Sequence, residues 1–376
     1  MSPPDSSRLL PGEGPEEPRD ETTGVRSTMM RGGTSRGLFF EHRDLPVEAG
    51  ERDDLLLRLM GSPDPRQIDG LGGATSLTSK VAVVGPSEHP DADVDYLFLQ
   101  LGVDEALVSD AQNCGNILAG VGPFAVERGL VPAGEHETSV RIRMVNSDSL
   151  SVATFPTPHG RVEYRGDVAI AGVPGTAAPV VLAFSDTEGS STGALLPTGR
   201  ERDRVDGVDV TCVDNGMPVV VAMASSLGLT GYESHEQLAS DAALLERVDA
   251  LRIAAGALMG LGDVSSSSVP KTALLAPARD GGQVCTRSFI PVRPHSSIGV
   301  LAAVSVVTGM LVPGAVGHDL ARQWRREGST VDVEHPTGHL LVDVTVDTTA
   351  TPPRVVRSGV VRTARKLFDG TAYPRA

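Results

Sequence analysis

The sequence predicts an α+β fold made of two similar halves, and three observations support this prediction. Short apolar runs, such as residues 81–84 and 95–101, alternate with frequent glycine and proline, which is typical of strands joined by turns. Amphipathic stretches at residues 52–60 and 236–259 predict helices. Motifs of the first half recur in the second half in the same order, which indicates a duplicated architecture.

The internal repeat consists of three pairs of segments. They are residues 30–33 with 213–216, residues 71–80 with 261–271, and residues 113–132 with 294–313. Each pair alone is a weak match, but three pairs in the same order and at similar offsets are not easily accidental. The third pair places His295, or alternatively Ser296, at the position of Cys114. Two such halves would face each other across a cleft, where small-molecule sites commonly lie.

The length of 376 residues is sufficient for two domains, each with its own core. Residues 1–26 are rich in Pro, Ser, Glu and Asp, which predicts a disordered N-terminal tail or an upstream start. We expect one domain at residues 27–195 and a second at residues 200–376, with the Gly-, Ser- and Thr-rich segment 189–199 as the linker. The C-terminal strands would be able to pack back on the first domain.

The overall charge limits the partners of this protein. A net charge of −15 argues against a nucleic-acid surface, because neutralising phosphates requires a basic face. An anionic small molecule is still compatible, provided that a local cluster of Arg, Lys and backbone N–H groups binds it.

Cysteine usage and hydropathy favour a cytoplasmic protein, compatible with a homodimer. The three cysteines, Cys114, Cys212 and Cys285, are widely spaced and show no metal-ligand pattern, so we interpret them as reduced thiols. No run approaches the roughly 18 to 20 apolar residues that a membrane span requires. No motif implies a metal or an organic cofactor.

Asn113-Cys114-Gly115-Asn116 is the first candidate for chemistry, because it directly precedes a small, apolar, helix-like run. The first turn of a helix has unpaired N–H donors and the positive end of the helix dipole, which would stabilise a thiolate or a bound carboxylate. On this stretch alone, a buried structural cysteine is the alternative. Pro123 further along predicts a kink or a helix that becomes regular near it.

Two loops of the first half carry further candidates. The turn at residues 31–37 combines Gly32 and Gly33 with side chains suited to carboxylates, and its alternative is a hairpin turn with solvated arginines. Lys80 lies where a Gly/Ser/Thr loop meets an apolar strand, so partial burial would suit it to act as a base. The alternative for Lys80 is a strand-edge lysine that faces water.

These motifs together resemble those of the PrpF family. The matching segments are Met30 to Gly37, Asp69 to Gly73, Leu77 to Ala82, Asn113 to Asn116, and His335 to Gly338. The resemblance covers roughly residues 28–376. It implies a diaminopimelate-epimerase-like fold of two pseudo-symmetric domains, each with strands wrapped around a central helix and with the active site in the cleft between them.

Three further segments resemble most closely the 4-oxalomesaconate tautomerase branch of that family. They are residues 92–98, 172–180 and 259–264. The resemblance implies a cofactor-independent isomerase that moves a proton in the keto–enol tautomerisation or allylic isomerisation of an unsaturated tricarboxylate, in the degradation of aromatic acids. Related enzymes isomerise 2-methylaconitate or aconitate, which is the first alternative. A non-catalytic accessory protein to a dehydratase is the second.

The resemblance also assigns roles to residues. Lys80 matches the proposed base and Cys114 the active-site cysteine, and which of the two acts first is left open. The N–H groups of Gly115 and Asn116, with the Asn116 side chain, would receive developing negative charge. The residues expected to contact substrate carboxylates or to close over the ligand are Arg31, Thr34, Ser35, Ser79, His335 and Thr337.

One departure from related epimerases is informative. Epimerases of this fold that invert an amino-acid α-carbon use two facing thiols, whereas the counterpart of Cys114 here is His295 or Ser296. A two-thiol racemase is therefore disfavoured. In the second half we expect His295 and Lys271 to contact substrate. A surface lysine is the alternative for Lys271, and a plain turn histidine is the alternative for His335.

Overall fold

The computed structural model describes residues 23–185, 187–324 and 329–376, and these divide into two compact units. The first unit contains the described residues up to Leu182 together with Arg362–Ala376, and the second is Ala183–Val361. The segment 189–199 thus lies inside the second unit instead of linking two domains. Leu195 is buried, and the Asp214 carboxylate accepts hydrogen bonds from the backbone of Ser191 and Thr192.

The described part of the first unit contains two α-helices, and more of its residues lie in strands than in these helices. Its elements are β1 Val25–Gly32, β2 Ser35–Glu41, α1 Ala49–Met60, β3 Lys80–Pro86, β4 Val94–Leu101, β5 Val108–Ser109, α2 Gly115–Glu127, β6 Glu137–Met144, β7 Ser149–Pro156 and β8 Pro179–Phe184, the last of which crosses the boundary.

The strands of the first unit surround α2. β1 pairs with β2 as the predicted strand–turn–strand, β2 and β3 are parallel, β3 and β4 are antiparallel, and β4 runs parallel to β6. Helix α2 contacts β1, β2, β3, β4, β6 and β7. Its small residues permit this close wrapping, because a Cβ at Gly120 would lie 2.7 Å from the Phe39 ring. The opposite face of β3 and β4 packs Val81, Val83 and Leu97 against α1.

The second unit repeats this plan. Its elements are β9 Asp203–Val205, β10 Val208–Asp214, β11 Pro218–Met223, α3 His235–Ser240, α4 Ala242–Leu258, β12 Lys271–Ala276, β13 Val284–Ile290, β14 Arg293–Pro294, α5 Val300–Leu311, α6 His318–Ala321, β15 Thr330–His335, β16 Gly338–Asp347 and β17 Arg354–Ala372, the last of which ends in the first unit.

The strand pairings of the second unit follow the same sequence as those of the first. β10 and β11 are antiparallel, β11 and β12 are parallel, β12 and β13 are antiparallel, and β13 runs parallel to β15. Helix α5 occupies the central position and contacts β10, β11 and β16. The predicted α+β fold with a central helix in each half is therefore confirmed.

Two local predictions about helices are wrong. The helix predicted for residues 236–259 is two helices, because the Asp241 side chain caps α4 by accepting from Leu244 N. Helix α2 begins at Gly115 and continues through the buried Pro123 to Glu127, so the helix does not become regular only near Pro123.

The N-terminal tail predicted for residues 1–26 lies outside the described residues as far as residue 22. Val25 and Arg26 already belong to β1, because Val25 is buried and lies opposite Ala372 of β17. In the described part of the chain, no helix is long and apolar enough to cross a membrane.

Candidate active site

Cys114 lies at the start of the central helix of the first unit. It is the N-cap residue of α2, is half-buried, and makes no side-chain capping bond, so the first N–H groups of the helix have no cap from it. A Cβ at Gly115 would meet nothing within 4 Å, which shows that the helix start borders open space. The thiol and the N–H groups of Gly115 and Asn116 are therefore arranged where an anion would be stabilised.

Lys80 is the first residue of β3 and is buried, with 7% of its surface exposed. Its Nζ donates to Gln100 Oε1 at 2.5 Å and lies 5.0 Å from the centroid of the Phe98 ring. The Gln100 amide is fixed, because its Nε2 donates to the carbonyl oxygen of Ser79 at 3.0 Å and to that of Ser76 at 3.2 Å. The lysine is thus held in one orientation by a residue that is itself held by the backbone.

The strand register brings Lys80 and Cys114 to the same face of the sheet. Lys80 lies opposite Gln100 in the β3–β4 pairing. Side chains alternate along a strand, so Phe98 and Tyr96 point to the same side of the sheet as Gln100 and Lys80. The Tyr96 hydroxyl donates to the carbonyl oxygen of Cys114 at 3.4 Å. Lys80 and Cys114 therefore belong to one face, with Phe98 and Tyr96 between them.

Tyr96 is a neutral donor in this arrangement. Complete burial raises the pKa of its hydroxyl well above the usual value, and the nearby Cys114 thiol raises it further. Its hydrogen bond therefore supports the backbone at the start of α2, and it does not compete with Lys80 or Cys114 as an acid or base.

The glycine turn between β1 and β2 packs directly against the start of α2. A Cβ at Gly32 would lie 2.3 Å from Asn116 O, and Gly33 has a φ of +50°, so both positions require glycine. Asn116 Nδ2 donates to Thr34 Oγ1 at 3.0 Å. The predicted residues Thr34 and Asn116 are thus in contact.

Arg31 extends from the same turn and is held by carbonyl groups. Its Nη1 donates to Gly33 O at 2.9 Å and to Thr363 O at 3.0 Å. Burial, followed by the neighbouring Arg365 guanidinium, lowers the pKa of Arg31. Within the residues that the structure describes, no carboxylate forms an ion pair with Arg31, which leaves it available to an anionic ligand.

Ser79 is placed differently from the other first-half candidates. Its side chain is fully buried, and its hydroxyl is within hydrogen-bonding distance of Gln67 Oε1 at 2.8 Å and Thr75 O at 2.9 Å. This placement argues against the predicted carboxylate contact of Ser79. The residue instead stabilises the loop that leads to Lys80.

The second unit brings its own candidates together. Ser297 N donates to His295 Nδ1 at 2.9 Å, and the Ser297 hydroxyl lies 3.2 Å from His335 Nε2. Thr337 Oγ1 lies 3.3 Å from His335 Nδ1. Burial lowers the pKa of the His295 imidazole, and the charge of Lys271 lowers it further. Burial also lowers the pKa of Lys271 itself.

The predicted correspondence between Cys114 and His295 or Ser296 needs correction. Helix α5 begins at Val300 with Gly299 as its N-cap, so both residues precede the helix instead of capping it. Lys80 and Lys271 do correspond in structure. Each is the first residue of the strand that runs parallel to the second strand of the preceding hairpin. No side chain occupies the position of the Cys114 thiol in the second unit.

A profile of the family described as PrpF protein matches residues 23–375. The chain belongs to the PrpF family. It is 56% identical over 344 residues to the (4E)-oxalomesaconate Delta-isomerase of Novosphingobium sp. strain KA1, covering 92% of this chain and 96% of that protein. It is 55% identical over 349 residues to the 4-oxalomesaconate tautomerase of Pseudomonas putida, covering 93% and 95%.

A solved structure supports the fold. The crystal structure of methylitaconate-delta-isomerase matches with a TM-score of 0.84 and 34% sequence identity, covering 94% of this chain and 96% of that one. The diaminopimelate-epimerase-like fold expected from the motifs is confirmed.

The other two cysteines of this PrpF protein are core residues. Burial raises the pKa of the Cys212 thiol to about 12 and also raises that of Cys285. Among the described residues, no group of three or more His, Cys, Asp or Glu side chains is placed to hold a metal ion.

Gln100, Tyr96 and Arg365 are site residues that sequence reasoning missed. Gln100 and Tyr96 lie on the strand predicted at residues 95–101, where a polar residue inside an apolar run was the available signal. Arg365 lies near the C-terminus and reaches the site only because β17 pairs with β1. No local pattern could have indicated that pairing.

Proposed function

We propose that this PrpF protein is a 4-oxalomesaconate tautomerase, an isomerase that interconverts keto and enol, or allylic, forms of an unsaturated tricarboxylate without a cofactor. The high identity to two proteins named for this substrate supports the choice of substrate. The observation that carries the chemistry is the placement of Lys80, oriented by Gln100, on the same face as Cys114 at the start of α2.

The proposed reaction moves one proton. Lys80 removes a proton from the carbon next to the carbonyl, and the electron pair moves onto the carbonyl oxygen. The N–H groups of Gly115 and Asn116 stabilise that negative charge, with the dipole of α2 behind them. Cys114 then gives its proton to that oxygen, which forms the enol, or to the far carbon of the allylic system, which re-forms the carbonyl; the two groups exchange roles in the reverse direction.

Substrate binding follows the same geometry. Two residues are placed to bind carboxylates beside the helix start. Arg31 is anchored through one nitrogen to a carbonyl group, and Thr34 contacts Asn116. Lys271, His295, His335 and Thr337 are proposed as further contacts from the second unit. Fixing the substrate carboxylates through these contacts would hold the reacting carbon near both Lys80 and Cys114.

The direct test is to incubate the purified protein with the keto form of 4-oxalomesaconate and to follow the conjugated enol by absorbance. We expect acceleration that is lost in Lys80→Ala. The proposal fails if the wild-type protein does not accelerate the reaction, or if Lys80→Ala is as active as wild type.

A further inference from the structure

A cavity of about 620 Å³ lies entirely within the first unit. Its walls come from the glycine turn, from the segment 164–177, and from β17. Four arginines line it, namely Arg31, Arg36, Arg165 and Arg365, and none of its described lining residues is acidic. Such a concentration of positive charge is unusual in a chain with a net charge of −15.

Three of these guanidinium groups have no carboxylate partner among the described residues: Arg31, Arg36 and Arg365. Several arginines elsewhere in the unit do have a carboxylate partner, as Arg128 has in Asp369 at 3.0 Å. The fourth, Arg165, lies 3.7 Å from Glu163 and is 95% exposed, so it contributes little. The like charges also act on each other, since Arg365 lies opposite Arg31 in the β1–β17 pairing.

Two buried donors at the glycine turn are also unsatisfied. Ser35 is 2% exposed and lines the cavity, and its hydroxyl has no hydrogen-bond partner among the described residues. The Nε of Arg36 is likewise buried without a partner. An unpaired buried donor is costly, so each such group calls for an explanation, and a bound anion would provide one.

The cavity is connected to the catalytic groups through Thr34. This residue lines the cavity and accepts a hydrogen bond from Asn116, the second residue of α2. A ligand that occupies the cavity would therefore extend toward the start of the helix that carries Cys114.

We infer that the cavity is a carboxylate subsite in which Arg36, Arg365 and Ser35 bind one carboxylate of the tricarboxylate substrate. This inference rests on the proposed function for the identity of the substrate. The subsite selects tricarboxylates over dicarboxylates, because a dicarboxylate leaves the guanidinium groups without a counter-charge.

The test compares two probes that differ by one carboxylate. Tricarballylate is glutarate with an additional central carboxylate, and the affinity of the wild-type protein for each is measured by calorimetry. We expect tighter binding of tricarballylate by about 10- to 100-fold, as charge-assisted hydrogen bonds to one carboxylate would give. Arg36→Met and Arg365→Met should each reduce this ratio to within about threefold.

Arg204→Met is the matched control, because Arg204 is an exposed strand arginine of the second unit, paired with Asp209 at 3.3 Å. This variant loses the same positive charge as the cavity variants and should keep the full preference for tricarballylate over glutarate. The affinity for glutarate reports folding, since a misfolded variant loses both probes.

The inference is overturned if the wild-type protein shows no preference for tricarballylate, or if both cavity variants keep it. The tautomerase assay is a separate readout. If the cavity variants lose the preference for tricarballylate but the wild-type protein does not act on 4-oxalomesaconate, the subsite is retained and the proposed substrate is rejected.

Discussion

The two units have the same strand order, but their lysines lie in different surroundings. Lys80 is buried, bound to Gln100 and packed against Phe98, beside a helix whose N-cap residue is Cys114. Lys271 begins the equivalent strand, is only half-buried, and lies beside a helix capped by Gly299. A duplicated scaffold thus repeats the backbone positions, while the lysine and cysteine proposed as the acid–base pair are present together in one copy.

This difference shows that an equivalent position in the repeated fold is not sufficient to assign a role to a residue. The proposed proton-transfer pair needs two groups that are held at one face. The β3–β4 register points Lys80 and Tyr96 to the same side, and Tyr96 contacts the backbone of Cys114. The second unit provides a hydrogen-bonded cluster of His295, Ser297, His335 and Thr337, which is suited to binding.

The largest expected effect separates the two lysines. Lys80→Ala should lower kcat for tautomerisation by about 10³-fold, because the group that removes the proton is lost. Lys271→Ala should lower kcat/KM by about tenfold or less, through weaker substrate binding. Equal losses in the two variants, measured in the same absorbance assay, would contradict the assignment of catalysis to the first unit.

A smaller loss is expected at the helix start. Cys114→Ala should lower kcat by about 100-fold, because the partner that returns the proton is missing while Lys80 and the helix N–H groups are still present. Cys285→Ala is the matched control, since that thiol is buried and only 4% exposed, and its kcat should be close to that of wild type.

Thiol reactivity gives a second measurement of the same contrast. Iodoacetamide should modify Cys114 first, because burial raises the pKa of Cys212 to about 12 and raises that of Cys285. Mass spectrometry of the labelled peptides would identify the site. Labelling of Cys212 or Cys285 before Cys114 would contradict the described burial.

The sequence predicted the repeated halves, the glycine turn, and the catalytic candidates, because each has a local pattern or a recognisable motif. It could not predict the orientation of Lys80, which depends on Gln100 from a neighbouring strand. The family resemblance implied that Ser79 contacts a substrate carboxylate, yet folding turns its hydroxyl toward Gln67. Arg365 required knowledge of a pairing between opposite ends of the chain.

The Gln100 contact gives a moderate effect. Gln100→Leu should lower kcat by about tenfold with little change in KM, because Lys80 loses the acceptor that orients it while the carboxylate contacts are intact. Gln100→Glu keeps an acceptor oxygen and should recover part of the activity. A change confined to KM, with kcat preserved, would instead place Gln100 among the substrate contacts.

The smallest effect is expected on stability in the second unit. Burial and Lys271 lower the pKa of His295 from its usual 6.5, so the unfolded chain takes up this proton first as the pH falls. The stabilising contribution is present above pH 6.5 and is lost as the pH falls through the lowered pKa. His295→Gln should reduce the fall in Tm on the acid side of the pH profile by about 1–2 °C.

Exposed His136 provides the control for that measurement. His136→Gln should leave the acid side of the Tm profile unchanged. If both variants follow the wild-type profile, His295 is not the group that couples pH to the stability of this region.

The central claim, that Lys80 of the first unit removes the carbon-bound proton, is tested most directly by proton NMR of the substrate in deuterated water. With Lys271→Ala, the signal of the carbon-bound proton next to the carbonyl should disappear by exchange at a rate within about tenfold of that with wild type. With Lys80→Ala, that signal should persist at the rate of the uncatalysed control. Exchange by Lys80→Ala at the wild-type rate would contradict the account.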